Sequence, residues 1–254
     1  MSPTSAPLRA NIPMTHATAR PLAKPTTALA RDPVPSQLDE TPLARARVTG
    51  KDLLAHLVED LDEDPEPPLE DFLGVLGSIA GFTTAYALAR RIDEGSLSLQ
   101  APEVIVMTLS DGSRRYFGNF LNRRLAEQQI SLFNLTAGMA KKLGATVFPD
   151  LPELFERVTK SATTVEFGVP RLPNGLGMDP PPEEMVRRRF PTCLPVLERY
   201  SLHPDDYFAA CAFAIQQVIA RSEGLIDPTL CVQIVMECAV PMSKIDPRSV
   251  LEDF

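Results

Sequence analysis

The densest polar cluster in the chain lies between residues 111 and 124: Asp111, Arg114, Arg115, Asn119, Asn122, Arg123 and Arg124. Arginine presents a rigid fork of donors that grips a carboxylate or phosphate with two hydrogen bonds. A helix opening near Asn119 would add free backbone N–H groups, which also favour an anion. Asp111, Arg114, Arg115, Asn119 and Asn122 are therefore the candidate ligand-binding residues. A plainer reading competes with this one. Asp111 is a turn residue, Asn119 is a helix cap, and the arginines are a solvated face on an acidic protein. No phosphate-loop glycine spacing accompanies the cluster, which favours the plainer reading.

Two other places could hold reactive groups. His203 stands beside Asp205 and Asp206, with Ser201 close in sequence. A general base needs a positioned nucleophile, and no G-x-S-x-G elbow is present, so His203 reads as a cap. Cys193 lies between Pro191 and Pro195 and is the least clearly buried of Cys193, Cys211, Cys231 and Cys238. Arg187 to Arg189 could lower its pKa, but no histidine is fixed as its partner. No His, Cys, Asp or Glu spacing suggests a metal, and no motif implies a cofactor. No catalytic residue is assigned.

The elements that position these groups follow from periodicity. Residues 72–89, FLGVLGSIAGFTTAYALA, are eighteen in a row without a charge. Glu70 and Asp71 precede them and Arg90 and Arg91 follow, as the helix macrodipole prefers. Gly77, Gly81, Ala85 and Ala89 recur every fourth residue, a stripe where another backbone can come close. A membrane span needs about 20 apolar residues. This stretch is diluted by glycine, Ser78, Thr83, Thr84 and Tyr86, so a central buried helix over 68–93 is the favoured reading. The element expected against the stripe is the hairpin or the 208–219 helix.

A hairpin is expected at 103–120. Val104 to Leu109 is β-branched, Asp111-Gly112 is a strong turn signal, and Ser113 to Phe117 returns. Further helices are expected at 49–61, 131–143, 151–160, 183–189 and 194–200. Two more open at Pro204 and Pro228, where an acid-and-proline start is clearest. The Pro/Gly-rich stretch 168–182 reads as a clamp, a lid or a disordered excursion.

Residues 1–47 hold eight prolines and no glycine, with a net charge of +3. They read as a disordered arm. The first 31 residues have four bases and no acid, the composition of a transit peptide, but prolines interrupt any amphipathic stripe. Residues 48–254 read as one mainly helical globular domain, with an acidic linker at 59–71. The fold class is α-rich α+β, nearly all-α, around the Gly/Ala-striped helix.

The chain has a net charge of −8 and a pI of about 5.0. An acidic surface repels phosphate backbones, which argues against nucleic acid as partner. Four cysteines without a C-x-x-C pair, and no secretory signal, favour a reducing, cytoplasmic setting. The reading that results is a non-catalytic interaction module: an adaptor, an escort, or a neutraliser of a basic protein partner. The pattern leaves a homo-oligomer open. The alternative is an enzyme or small-anion sensor with its site at Asp111 to Arg124. A membrane-associated protein using 72–89 stands third.

Overall fold

The computed structural model describes residues 41–61, 68–173, 176–200 and 202–251. Residues 1–40 of the expected arm, and 62–67 of the expected acidic linker, lie outside them. The described residues form an α-rich α+β fold with a single two-stranded sheet.

Helix α1 runs Pro42–Asp60, seven residues earlier than periodicity indicates. The Thr41 side chain accepts from the Ala44 N–H at 3.3 Å, and Pro42 takes the first helical position. Proline is pre-set for that position because its missing N–H would go unpaired anyway. Residues 42–47 are thus helical, a correction to the arm as read from composition. Ala46, Thr49, Gly50, Leu53, Leu54 and Leu57 form the buried face.

Helix α2, Leu69–Asp93, is the hub. Every residue from Phe72 to Ala89 is buried, so the helix is apolar on all sides because all sides are covered. It is long and apolar enough to cross a membrane, yet its most apolar window is wholly buried inside the fold. Buried Ser78, Thr83 and Thr84 turn their hydroxyls back to Gly74, Ala80 and Gly81 carbonyls at 2.7 Å. This back-bonding satisfies polar atoms that water cannot reach.

The hairpin is β1, Ile105–Thr108, and β2, Arg114–Phe117, with Ile105 opposite Phe117 and Thr108 opposite Arg114. Tyr116 of β2 packs with Leu88 of α2 and with Val104, Phe120 and Leu121 on either side of the hairpin. A short helix α3, Asn119–Asn122, and one π-helical turn, Arg123–Glu127, follow. The cap of α3 is Gly118, at φ +112, and Asn119 is already inside the helix. A Cβ at Gly118 would stand 2.3 Å from the Glu103 carbonyl oxygen, so neither the angle nor the space admits a side chain.

Then come α4, Leu132–Lys142, capped by Ser131, and α5, Leu151–Ser161, capped by Asp150. Helix α6, Pro182–Glu198, is continuous, where two shorter helices are expected from Pro191 and Pro195. Each interior proline removes one backbone bond. The buried face of Met185, Val186, Phe190, Cys193, Val196 and Leu197 outweighs that loss. Helices α7, Tyr207–Arg221, and α8, Pro228–Met242, complete the core. Pro241 sits inside the last turn of α8, one residue short of its end.

The stripe on α2 meets α8, not the hairpin or α7. A Cβ on Gly77 would lie 2.8 Å from the Val235 carbonyl oxygen, and one on Gly81 only 2.0 Å from that of Ala239. Ala85 and Ala89 continue the buried stripe. Gly50 plays the same part for α1, where a Cβ would stand 2.4 Å from the Ala210 oxygen of α7. Phe190 of α6 packs edge-on against Phe82 at 4.8 Å. Helix α2 is therefore enclosed by α6, α7 and α8.

Gly81→Ala drives a methyl into backbone that cannot yield, so it should lower unfolding free energy by about 3 kcal/mol. Gly138 of α4 has open space around it, and Gly138→Ala should raise stability by up to about 1 kcal/mol. Urea denaturation of the two variants checks both signs.

Candidate functional site

The hairpin cluster is divided, part of it in solvent and part of it against the 243–246 turn. Asp111 is an exposed turn residue that accepts from the Ser113 N–H at 2.9 Å and hydroxyl at 2.7 Å. Asn119 is exposed on α3. Arg114 leans toward Asp246 at 3.9 Å. Arg115 lays its guanidinium 4.5 Å over the Phe167 ring, and its Nε is buried with no acceptor among the described residues. Asn122 turns inward, where its Oδ1 accepts from Lys244 Nζ at 3.2 Å. Arg114, Arg115 and Asn122 thus all meet the 243–246 turn, Arg114 through Asp246, Arg115 through its antiparallel bridge to Ile245 and Asn122 through Lys244. Asp111 and Asn119 do not take part.

Lys244 is the residue that sequence reasoning missed. It is 2 % exposed, on the turn that follows α8. Its Nζ lies 5.3 Å from the centre of the Phe155 ring and 5.7 Å from that of Phe117. No carboxylate reaches it within ion-pair distance among the described residues. Burial pushes the amine down to about 7, against a small opposing pull from Glu127. The only warning in the sequence is a lysine next to Ser243, just past the apolar run from Cys238 to Met242. Phe117, Asn122 and Phe155 come from three separate elements, so no local pattern announces the site.

The same turn anchors the hairpin. The Tyr116 N–H donates to the Lys244 carbonyl at 2.8 Å, and its hydroxyl donates to Asp246 Oδ2 at 3.0 Å. Burial, aided by the Asp246 charge, pushes the Tyr116 phenol up to about 12, so it remains a donor at neutral pH. Arg248 closes the group by donating to Asp246 at 3.3 Å.

His203 is the cap expected of it: its Nδ1 accepts from the Asp205 N–H at 3.2 Å. The Asp205 carboxylate lies 3.7 Å from His203 Nδ1 and is also gripped by a fork of two arginines. Arg124 pairs with it at 3.0 Å and Arg91 donates to it at 2.9 Å. Arg124 also donates to the Phe120 carbonyl at 2.9 Å and stacks 3.9 Å over the Phe120 ring. Burial alone would raise the Asp205 carboxyl, but the Arg91 hydrogen bonds and the Arg124 charge overcome it and hold it below the usual range. This fork ties the end of α2 and the π turn to the start of α7.

Cys193 is fully buried, which corrects its ranking as the least buried cysteine. Desolvation pushes its thiol up to about 12, the opposite of what a nucleophile needs. Cys238 is likewise pushed to about 12 and Cys231 to about 11. All four cysteines are free and buried. Among the described residues, no group of three His, Cys, Asp or Glu side chains is placed to hold a metal.

The stretch at 168–182 is a clamp in its described parts. The Arg171 N–H donates to Glu237 of α8 at 2.9 Å, and Gln233 donates to the Arg171 carbonyl at 3.0 Å. Met178 rests against Gly74 of α2. Glu237 also holds Arg157 of α5 at 2.5 Å. Between α5 and the 162–171 segment that follows it lies an open groove of about 490 Å³, lined by Glu153, Glu156, Arg157, Lys160, Val165 and Arg171, among others. Val165 is 98 % exposed and Val169 58 %. Compared with known protein families, characterised proteins and solved structures, the chain matches none.

Two outcomes follow for these groups. Asp205→Ala strands a mostly buried Arg124 and should cost about 3 kcal/mol of stability in urea unfolding at pH 7. The sign for Lys244 is different. Its folded pKa lies below the ordinary 10.5, so the unfolded chain holds the extra proton between pH 7 and 10.5. Wild-type stability should therefore gain about 1 kcal/mol per pH unit as pH rises from 7 to 9, and Lys244→Met should remove that slope.

Proposed function

We propose that this chain is a non-catalytic protein-interaction module that docks a partner in the groove between α5 and the 162–171 segment. The observation that carries the reading is Val165, an apolar side chain almost wholly in water at the lip of an open groove. Val169 stands four residues on, also exposed. Apolar groups rimmed by charge are the usual composition of a docking site. Around them, Lys160 is paired with Glu156, Arg157 with Glu237, and Arg171 lies 4.0 Å from Glu166. Glu153 completes the acidic side of the rim. The rim carries Glu153, Glu156 and Glu166 against Arg157, Lys160 and Arg171, so a partner segment with an apolar anchor flanked by charges of both signs suits this lining.

The fate of the reactive residues supports the same reading. The cysteines are desolvated, His203 caps a turn, and the hairpin arginines brace the fold. Four buried free thiols fit the reducing conditions of a cytoplasm. A second reading, a small-anion sensor at the hairpin junction, is favoured by one observation. The buried Arg115 Nε donor has no acceptor among the described residues, and such a donor is costly to leave unpaired.

A pull-down from the source cell's lysate tests the first reading, using wild type beside the Val165→Glu, Val169→Glu double variant. Both positions are exposed, so the melting temperature should not change. A protein retained by wild type and reduced at least tenfold by the variant supports docking here; equal retention by both contradicts it. For the second reading, inorganic phosphate should raise the wild-type melting temperature, and Arg115→Ala should abolish that rise.

A further inference from the structure

Helix α5 is the most lightly held of the long helices. It buries two of its eleven residues, Leu154 and Val158, fewer than any other helix of that length or more among the described residues. Its principal neighbour is α8. The Arg157–Glu237 pair joins the two. Phe155 of α5 supplies one wall around Lys244 Nζ. The other walls, Phe117 and Asn122, belong to β2 and α3, and the Tyr116 hydrogen bonds hold β2 to the turn that carries Lys244. Of the three walls, α5 is the one with fewest ties.

We propose that α5 is a proton-controlled flap, closed over Lys244 while its amine is neutral and released when the amine gains a proton and requires water. In the closed state an ammonium at this place has one amide oxygen and two ring faces to replace its hydration. That is poor compensation for a buried charge. The charged groups on the surrounding elements are committed elsewhere. On α5, Arg157 pairs with Glu237 of α8, and Glu156 with Lys160. Asp246, on the same turn as Lys244, is held by Tyr116 and Arg248, and Arg124 of the π turn by Asp205. Arg115 of β2 lies over Phe167, and Arg123 is exposed. Glu127 is the charge that acts on Lys244, and it too is exposed.

The direction of control follows from linkage. The closed state sheds the Lys244 proton near pH 7, and an opened, hydrated lysine regains it up to its ordinary 10.5. Opening therefore takes up a proton between those values. Lowering the pH toward 7 favours the open state; below 7 both states are protonated and the effect levels off. This control of α5 stands whether or not the groove beside it docks a partner.

Amide hydrogen exchange of the full chain from pH 6 to 9, expressed as protection factors, tests the flap. Amides of α2 serve as the internal reference for global unfolding. Wild-type α5 protection should fall about tenfold per unit as pH drops from 9 to 7.5, then level below pH 6.5. In Lys244→Met it should be flat. The proposal is overturned by a flat wild-type profile, by the same slope in Lys244→Met, or by α5 protection equal to that of α2 at every pH. The wild-type profile decides the matter by itself if the variant does not fold.

Discussion

Everything in this fold hangs on the backbone contact between α2 and α8. Side chains normally keep packed helices 8–10 Å apart. Here Gly77 and Gly81 remove two of them where Val235 and Ala239 pass, so main chain rests on main chain. Many close dispersion contacts result, in a seam that has no soft side chain to yield. Because α2 is covered all round, its position fixes α6 and α7 as well as α8. The hairpin and its polar staples are then laid on the outside of that assembly.

Polar chemistry in this molecule serves mainly as joinery. Asp205 draws Arg91 and Arg124 together, Glu237 holds α5 and the 168–182 clamp, and Asp246 secures Tyr116 and Arg248. Each carboxylate links elements distant in sequence, and each is mostly shielded from water. Such pairs are costly to break singly, because the partner is left charged and buried. Lys244 departs from this pattern. It is buried like the others but has no carboxylate partner among the described residues, and it sits beside the long helix with the fewest buried residues among those described. The groove and the buried amine thus adjoin the same element, α5, which is where this fold can change with least disruption.

Much of the fold was legible in the sequence because its signals are local. Val104 to Leu109 with Asp111-Gly112 specifies a hairpin through β-branching and one turn. Ser131, Asp150, Asp227 and His203 each accept a backbone N–H at a helix start, which is a property of a few adjacent residues. Other features were not legible, for physical reasons. The proline-rich composition of 1–47 masks the Thr41-Pro42 start of α1. Pro191 and Pro195 read as breakers, yet tertiary burial of Phe190 and Cys193 carries α6 through them. The Gly77/Gly81 spacing says that something approaches closely but not that it is α8. The hairpin arginines look like one site in sequence, and only folding separates Arg124 toward Asp205 from Arg115 toward Phe167. Lys244 gathers its neighbours from β2, α3 and α5, and long-range assembly leaves no periodic trace.

The central claim is that the α2–α8 seam is the last part of the structure to open. Native-state hydrogen exchange in increasing denaturant measures this directly. Amides of α2 from Gly77 to Ala85, and of α8 from Val235 to Ala239, should exchange only through global unfolding, with the full stability and denaturant dependence of the chain. If these amides exchange through smaller, denaturant-insensitive openings while those of α1 or α4 stay protected, the seam is not what holds the fold.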